Sequence, residues 1–84
     1  MAAAIEDAST RHLDRLYEIE TECFEKEAFT RQEIAYLLTD YNSVGLIARM
    51  NGTIIGFIIG RVYAARKSLV GHILTIDVSP AHRR

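Results

Sequence analysis

Gly71-His72-Ile73-Leu74-Thr75-Ile76-Asp77-Val78-Ser79-Pro80-Ala81-His82-Arg83-Arg84 is the stretch on which the reading of this chain turns. From Leu69 to Val78 the residues are mostly β-branched or aliphatic, and Ser79-Pro80 stops the run, so a strand is expected over 69–78. His82-Arg83-Arg84 then makes a basic turn. A strand running into a basic turn is how a helix N-terminus begins to cradle a phosphate with backbone amides.

Upstream, the period is also that of strands. Val44 to Met50 and Thr53 to Tyr63 are β-rich and are separated by Asn51-Gly52, which suits the φ > 0 pair of a two-residue type I′ hairpin. Gly56 and Gly60 lie inside the second run and mark a bulge or a close approach to the backbone. Ala64 to Ser68 reads as a polar basic turn. Before Val44 the spacing is helical. Thr30-Arg-Gln-Glu33 is a capping box, and Ile34, Leu37, Leu38 and Tyr41 follow at i, i+3, i+4, i+7. Tyr36 and Tyr41 are expected to pack this helix. An earlier helix, capped by Ser9 or Thr10, carries Leu13, Leu16, Tyr17, Cys23 and Phe24 on one side; Glu20 interrupts that stripe. Ala2 to Ala8 is consistent with an edge strand. The order is β-α-α-β-β-β, an α+β arrangement.

With 84 residues the sequence allows at most one domain. Hydrophobic residues make up 49% and charged residues 25%, which argues against disorder. No apolar run approaches the roughly 20 residues of a membrane span, and no membrane partner is expected. The N-terminus lacks the basic and apolar regions of a secretory signal. The single cysteine, Cys23, excludes an internal disulfide, so a cytoplasmic setting is expected. Residues 1–40 hold ten of the eleven acids, whereas six of the ten bases lie in 41–84. That polarity suits a cation at one end and a phosphate-bearing ligand at the other, or simply reflects helix surfaces. No dense basic stripe with aromatics points to nucleic acid. His12, His72 and His82 lack metal-ligand spacing, so no metal is expected.

The closing segment resembles the central motif of GNAT-superfamily N-acetyltransferases, where a strand enters a loop of the form R/Q-x-x-G-x-G/A. More narrowly, Gly71-His72-Ile73-x-x-Ile76-x-Val78 with His82-Arg83-Arg84 resembles protein N-terminal acetyltransferases of the ribosomal-protein and archaeal type. Ile19-Glu20 with Cys23-Phe24 is similar to the family's first helix and its exit, and Gly52-Thr-Ile-Ile-Gly56-Phe to its second-to-third strand hairpin. The resemblance covers essentially all of residues 1–84 as the N-terminal part of one domain. It implies a mixed, mostly antiparallel sheet with helices packed on it, truncated after the fourth strand. A hydrophobic fourth strand left as an open edge invites aggregation, and the chain by itself is expected to be inactive.

The resemblance also implies a chemistry: acetyl transfer from acetyl-CoA, as co-substrate, to an amine. The expected acceptor is the N-terminal α-amine of a protein or peptide, a ribosomal protein among them. It assigns the pantetheine arm to main-chain groups of Ile76, Asp77 and Val78, and the pyrophosphate to the loop opened by Arg83 and Arg84. It makes His72 the base candidate, since an amine is mostly protonated near neutral pH; the other reading is a His filling a polar spot on the sheet. Phe24, Glu25, Ala28 and Phe29 fall in the loop that grips the acceptor. Glu25 and Glu27 could attract the ammonium group, while Phe24 and Phe29 could simply staple the helices. Cys23 reads as a small buried hydrophobe. The rivals are a small-molecule or lysine amine as acceptor, and a non-catalytic half-domain that pairs through its open strand as an interaction module.

Overall fold

Asn51 and Gly52 both lie at positive φ, 53° and 82°, in a computed structural model that describes residues 3–82. They join β2 (Ser43–Met50) to β3 (Thr53–Ala65), as a type I′ turn requires. β3 returns as β4 (Ser68–Val78) through Arg66-Lys67, with Arg66 at φ 57°. The turn is tighter than the 64–68 stretch the sequence suggests, because pairing runs on to Ala65 and Ser68. β1 (Ala4–Asp7) pairs with β2, giving the order β1-β2-β3-β4. Every pairing among these described strands is antiparallel.

Glu6 of β1 bonds Arg49 of β2, with Arg49 Nε 2.8 Å from Glu6 Oε2. That hydrogen bond, aided by the guanidinium charge, holds the Glu6 carboxyl below the usual carboxylate range. A depressed carboxylate adds stability above its unfolded pKa and loses it as pH falls through the folded one. The β1 edge is therefore tied at neutral pH and loosened in acid.

A 3-10 turn (Thr10–His12) leads into α1 (Leu13–Phe24). The Ser9 N–H donates to His12 Nδ1 at 3.1 Å. A further 3-10 turn, Glu25–Glu27, connects α1 to α2 (Arg31–Thr39). Both helices cover one face of the sheet. Leu13, Leu16 and Ile19 of α1 and Ile34 and Leu37 of α2 pack on Ile47, Ile54, Phe57 and Ile59. Each such side chain contributes about 1.5–3 kcal/mol by leaving water.

The tyrosines depart from the helical reading. Tyr36 is exposed because it lies off the buried Ile34–Leu37 stripe of α2, and Tyr41 is exposed because α2 ends at Thr39 and Asp40 is already extended. Tyr41 therefore never reaches the i+7 place. In α1, Tyr17 and Phe24 are partly exposed while Ile19 and Glu20 turn inward.

The opposite sheet face is apolar and uncovered among the described residues. Ile5 and Ile76 are each 64% exposed there, with Val44, Leu46 and Ile58 between them.

The start of α2 is fixed by two reciprocal bonds. Glu33 N–H donates to Thr30 Oγ1 at 3.1 Å, and Thr30 N–H donates to Glu33 Oε1 at 2.8 Å. Thr30→Ala removes one half of this cap and is expected to cost about 1 kcal/mol. A denaturant midpoint equal to the parent's would place the helix start elsewhere.

Candidate functional site

β4 carries one residue more than β3 needs. Ile59 faces Thr75 and Gly60 faces Ile73, which leaves Leu74 as a bulge. An extra residue resets the in–out alternation of everything that follows. Leu74 packs against the core, and Thr75 and Asp77 are buried. Ile76 and Val78 face the uncovered side, where they border a hollow of about 210 Å³ with Ile5 and Gly56.

The backbone directions follow in step. The Asp77 carbonyl oxygen lies against β3, 2.7 Å from where a Cβ on Gly56 would sit. The Ser79 N–H donates to the Ile55 carbonyl at 2.7 Å. Main-chain groups alternate sides along an antiparallel strand, so those of Asp77 and Ser79 point to β3. Those of Ile76 and Val78 point to the opposite edge, where β4 has no strand neighbour among the described residues. Of the three residues expected to lend main-chain groups to a ligand, Ile76 and Val78 are directed outward. The Asp77 carbonyl is directed inward.

The Asp77 side chain belongs to a buried polar cluster. Glu20 is 2% exposed. Its Oε2 accepts from the Phe29 N–H at 3.0 Å, and its Oε1 lies 3.1 Å from Thr75 Oγ1. Thr75 Oγ1 is 2.5 Å from Asp77 Oδ1. The Cys23 thiol donates to the Val78 carbonyl at 3.3 Å. The exit of α1 and the following loop are thus fastened to the outer end of β4. Neither Glu20 nor Thr75 stands out in the sequence as a site residue; the one signal is a carboxyl at an inward position of the helical stripe.

The loop residues divide. Phe29 packs against the core, in keeping with a staple, whereas Phe24 is partly exposed. Glu25 is exposed and adopts φ 49°, a strained backbone for a non-glycine residue. Ala28 is half-buried. His72 stands apart, upstream of the bulge and opposite Arg61. It is exposed and borders a hollow of about 240 Å³ with Val44, Leu46, Ile58 and Ile73. Among the described residues no hydrogen bond joins it to the loop. Arg83 and Arg84 lie outside the described residues. His82 ends a short 3-10 turn, Pro80–His82. Among the described residues there is no group of three or more His, Cys, Asp or Glu placed to hold a metal ion. No described helix is long and apolar enough to cross a membrane.

An edge strand with outward-facing main-chain groups, running into a short turn at Pro80–His82, is in keeping with what the closing segment suggested. The family model for Acetyltransferase (GNAT) matches residues 13–84. The chain belongs to this family. No curated protein matches this GNAT chain by sequence. Among solved structures it is similar to a GCN5-related glucosamine N-acetyltransferase region of a fungal multi-domain GH3 β-N-acetylglucosaminidase. The TM-score is 0.85 and the identity 20%, over 99% of this chain and 10% of that one. It is also similar to a ribosomal-protein-alanine N-acetyltransferase from Brucella melitensis biovar Abortus 2308, with TM-score 0.77 and 20% identity, covering 99% and 61%. A third similar structure is the aminoglycoside antibiotic 6'-N-acetyltransferase AAC(6')-IG from Acinetobacter haemolyticus, with TM-score 0.73 and 26% identity, covering 96% and 60%. The chain therefore spans less than two thirds of each of these structures.

The fit of β3 against the bulged strand is tested at Gly56. A Cβ there would stand 2.7 Å from a backbone oxygen, which has no rotamer by which to retreat. Gly56→Ala is expected to cost about 1–3 kcal/mol of stability through overpacking. That exceeds the roughly 0.5–1 kcal/mol by which Ala ordinarily outdoes Gly in a strand. A chemical melt that shifts toward higher stability would contradict the close approach of the two backbones.

Proposed function

We propose that the complete domain transfers an acetyl group from acetyl-CoA to an amine, and that the amine is a protein or peptide N-terminal α-amine. The observation that carries this reading is the outer end of β4. Main-chain groups of Ile76 and Val78 point to the open edge, and the loop of residues 24–29 is linked to the same strand through Glu20. Acetyl-CoA supplies an activated thioester. Ile76 and Val78 would hold the pantetheine arm through the backbone, which leaves their side chains free to vary. Asp77 would contribute from inside through its buried side chain. Arg83 and Arg84 would open the loop that meets the pyrophosphate.

The acceptor enters as a cation and reacts as a neutral amine. Glu25, exposed beside the exit of α1, would draw the ammonium group in, with Phe24, Ala28 and Phe29 shaping its surroundings. His72 would take the proton, directly or through water, as a general base. A small-molecule amine is the second reading. It is favoured by the names of two similar structures, a glucosamine and an aminoglycoside N-acetyltransferase. The N-terminal acceptor is favoured by the resemblance of Gly71-His72-Ile73 and the loop, and by the likeness in fold to a ribosomal-protein-alanine N-acetyltransferase. Cytoplasmic residence is part of the proposal, in keeping with the single cysteine, Cys23.

Initial rates with peptide N-termini and with aminoglycosides separate the two acceptors. In the complete domain, His72→Ala should lower kcat by about 10²-fold, the scale of a general base, with acetyl-CoA affinity near the parent's. Equal turnover of mutant and parent from about pH 6 to 9, across the range of imidazole titration, would return His72 to a polar place on the sheet.

A further inference from the structure

A carboxyl at an inward position of α1 is costly to bury unless its oxygens are bonded. Both Glu20 oxygens are, one to the Phe29 N–H and one to Thr75 Oγ1. The Thr75 hydroxyl meets two carboxyls, Glu20 at 3.1 Å and Asp77 at 2.5 Å. Phe29 N–H, Glu20, Thr75 and Asp77 therefore form one connected chain of polar contacts. A buried chain of this kind is rigid when complete and unfavourable when any member is missing.

The two ends of the chain give it a use. One end is the backbone of the loop 24–29; the other is the stretch of β4 that contains Ile76. We propose that Glu20 is a positioning residue: its buried carboxyl fixes the acceptor-binding loop in register with the strand that holds the acyl donor. This rests on the acetyl-transfer reading above. Glu20 need touch neither substrate, but it sets the gap between them, and small misplacements of reacting groups cost large factors in rate. The Cys23 thiol on the Val78 carbonyl, 3.3 Å, pins the same helix end one turn later.

The chain of contacts makes a sharp distinction between variants. In Glu20→Gln the amide oxygen accepts from Phe29, and the amide nitrogen donates to Thr75, which donates to Asp77. The chain stays complete. Glu20→Ala removes the middle of it. Hydrogen exchange of the Phe29 amide reads this directly, with the Ile34 amide, bonded to the Thr30 carbonyl at 3.0 Å, as internal reference. Relative to Ile34, Phe29 exchange should quicken about tenfold in Glu20→Ala and stay within about twofold of the parent in Glu20→Gln, the scale of one lost hydrogen bond. Unchanged exchange in Glu20→Ala, or equal quickening in both variants, overturns the joint. Should Glu20→Ala fail to fold, Thr75→Ser against Thr75→Val carries the test: serine keeps the protection of Phe29, valine loses it, and equal behaviour refutes the chain. In the complete acetyltransferase, Glu20→Ala should lower kcat about tenfold or more with unchanged acetyl-CoA affinity, and Glu20→Gln should restore the rate. Parent-like kcat in Glu20→Ala overturns the positioning role. A parent with no acetyl transfer but with the exchange pattern intact would refute the acetyl-transfer reading and leave the joint standing.

Discussion

One surplus residue in β4 sets the arrangement of everything around it. Because Leu74 has no partner on β3, the strand changes step between Ile73 and Thr75. Without that change the polar pair Thr75 and Asp77 would face the uncovered side and Ile76 would press on the helices. With it, Thr75 and Asp77 meet Glu20 of α1, and the main chain of Ile76 is presented at the sheet edge. Beyond the bulge, Gly56 lets the two strands close opposite Val78, since any side chain there would strike the Asp77 carbonyl. The bulge, with a glycine facing the outer end of the strand, is thus the device that puts outward-facing backbone on one side of β4 and a buried joint on the other.

The two sheet faces then have different characters. The helix side holds the apolar cluster around Leu16, Ile19, Ile34 and Ile59, and the Glu20–Thr75–Asp77 cluster lies beside it. Burying two carboxyls there costs more than burying alkyl groups would, which points to a role in geometry rather than in stability. The other side is a plane of aliphatic side chains, uncovered among the described residues, with Ile5 and Ile76 well exposed. Its edge is where Ile76 and Val78 turn their backbone groups outward.

Local signals in the sequence proved legible. Thr30 with Glu33 and Asn51 with Gly52 act over two to four residues, so the cap and the turn follow from residue types alone. The element order and the GNAT family were readable from such pieces and from the closing segment. What escaped depends on distance. Glu20 and Thr75 are 55 residues apart in the chain, and nothing short of the folded register brings them together. The place of the bulge was hidden because Ile73 and Leu74 are both apolar, so no polar–apolar alternation marks the slip there. Tyr41 misled for the opposite reason: helical spacing continued past the point where Asp40 ends the helix. Of the site residues, the loop and the end of β4 are fastened together, His72 lies apart from them, and Arg83 and Arg84 fall outside the described residues.

The most direct test of an edge-held acyl donor is amide hydrogen exchange along β4 of the complete domain, with and without acetyl-CoA. Ile76 should gain protection on addition of acetyl-CoA, because its N–H points to the open edge. Asp77 should hold its protection throughout, because its main chain already faces β3. Protection gained at Asp77 and not at Ile76, or at neither while acetyl-CoA is bound, would contradict a cofactor held by the outward-facing backbone of this strand.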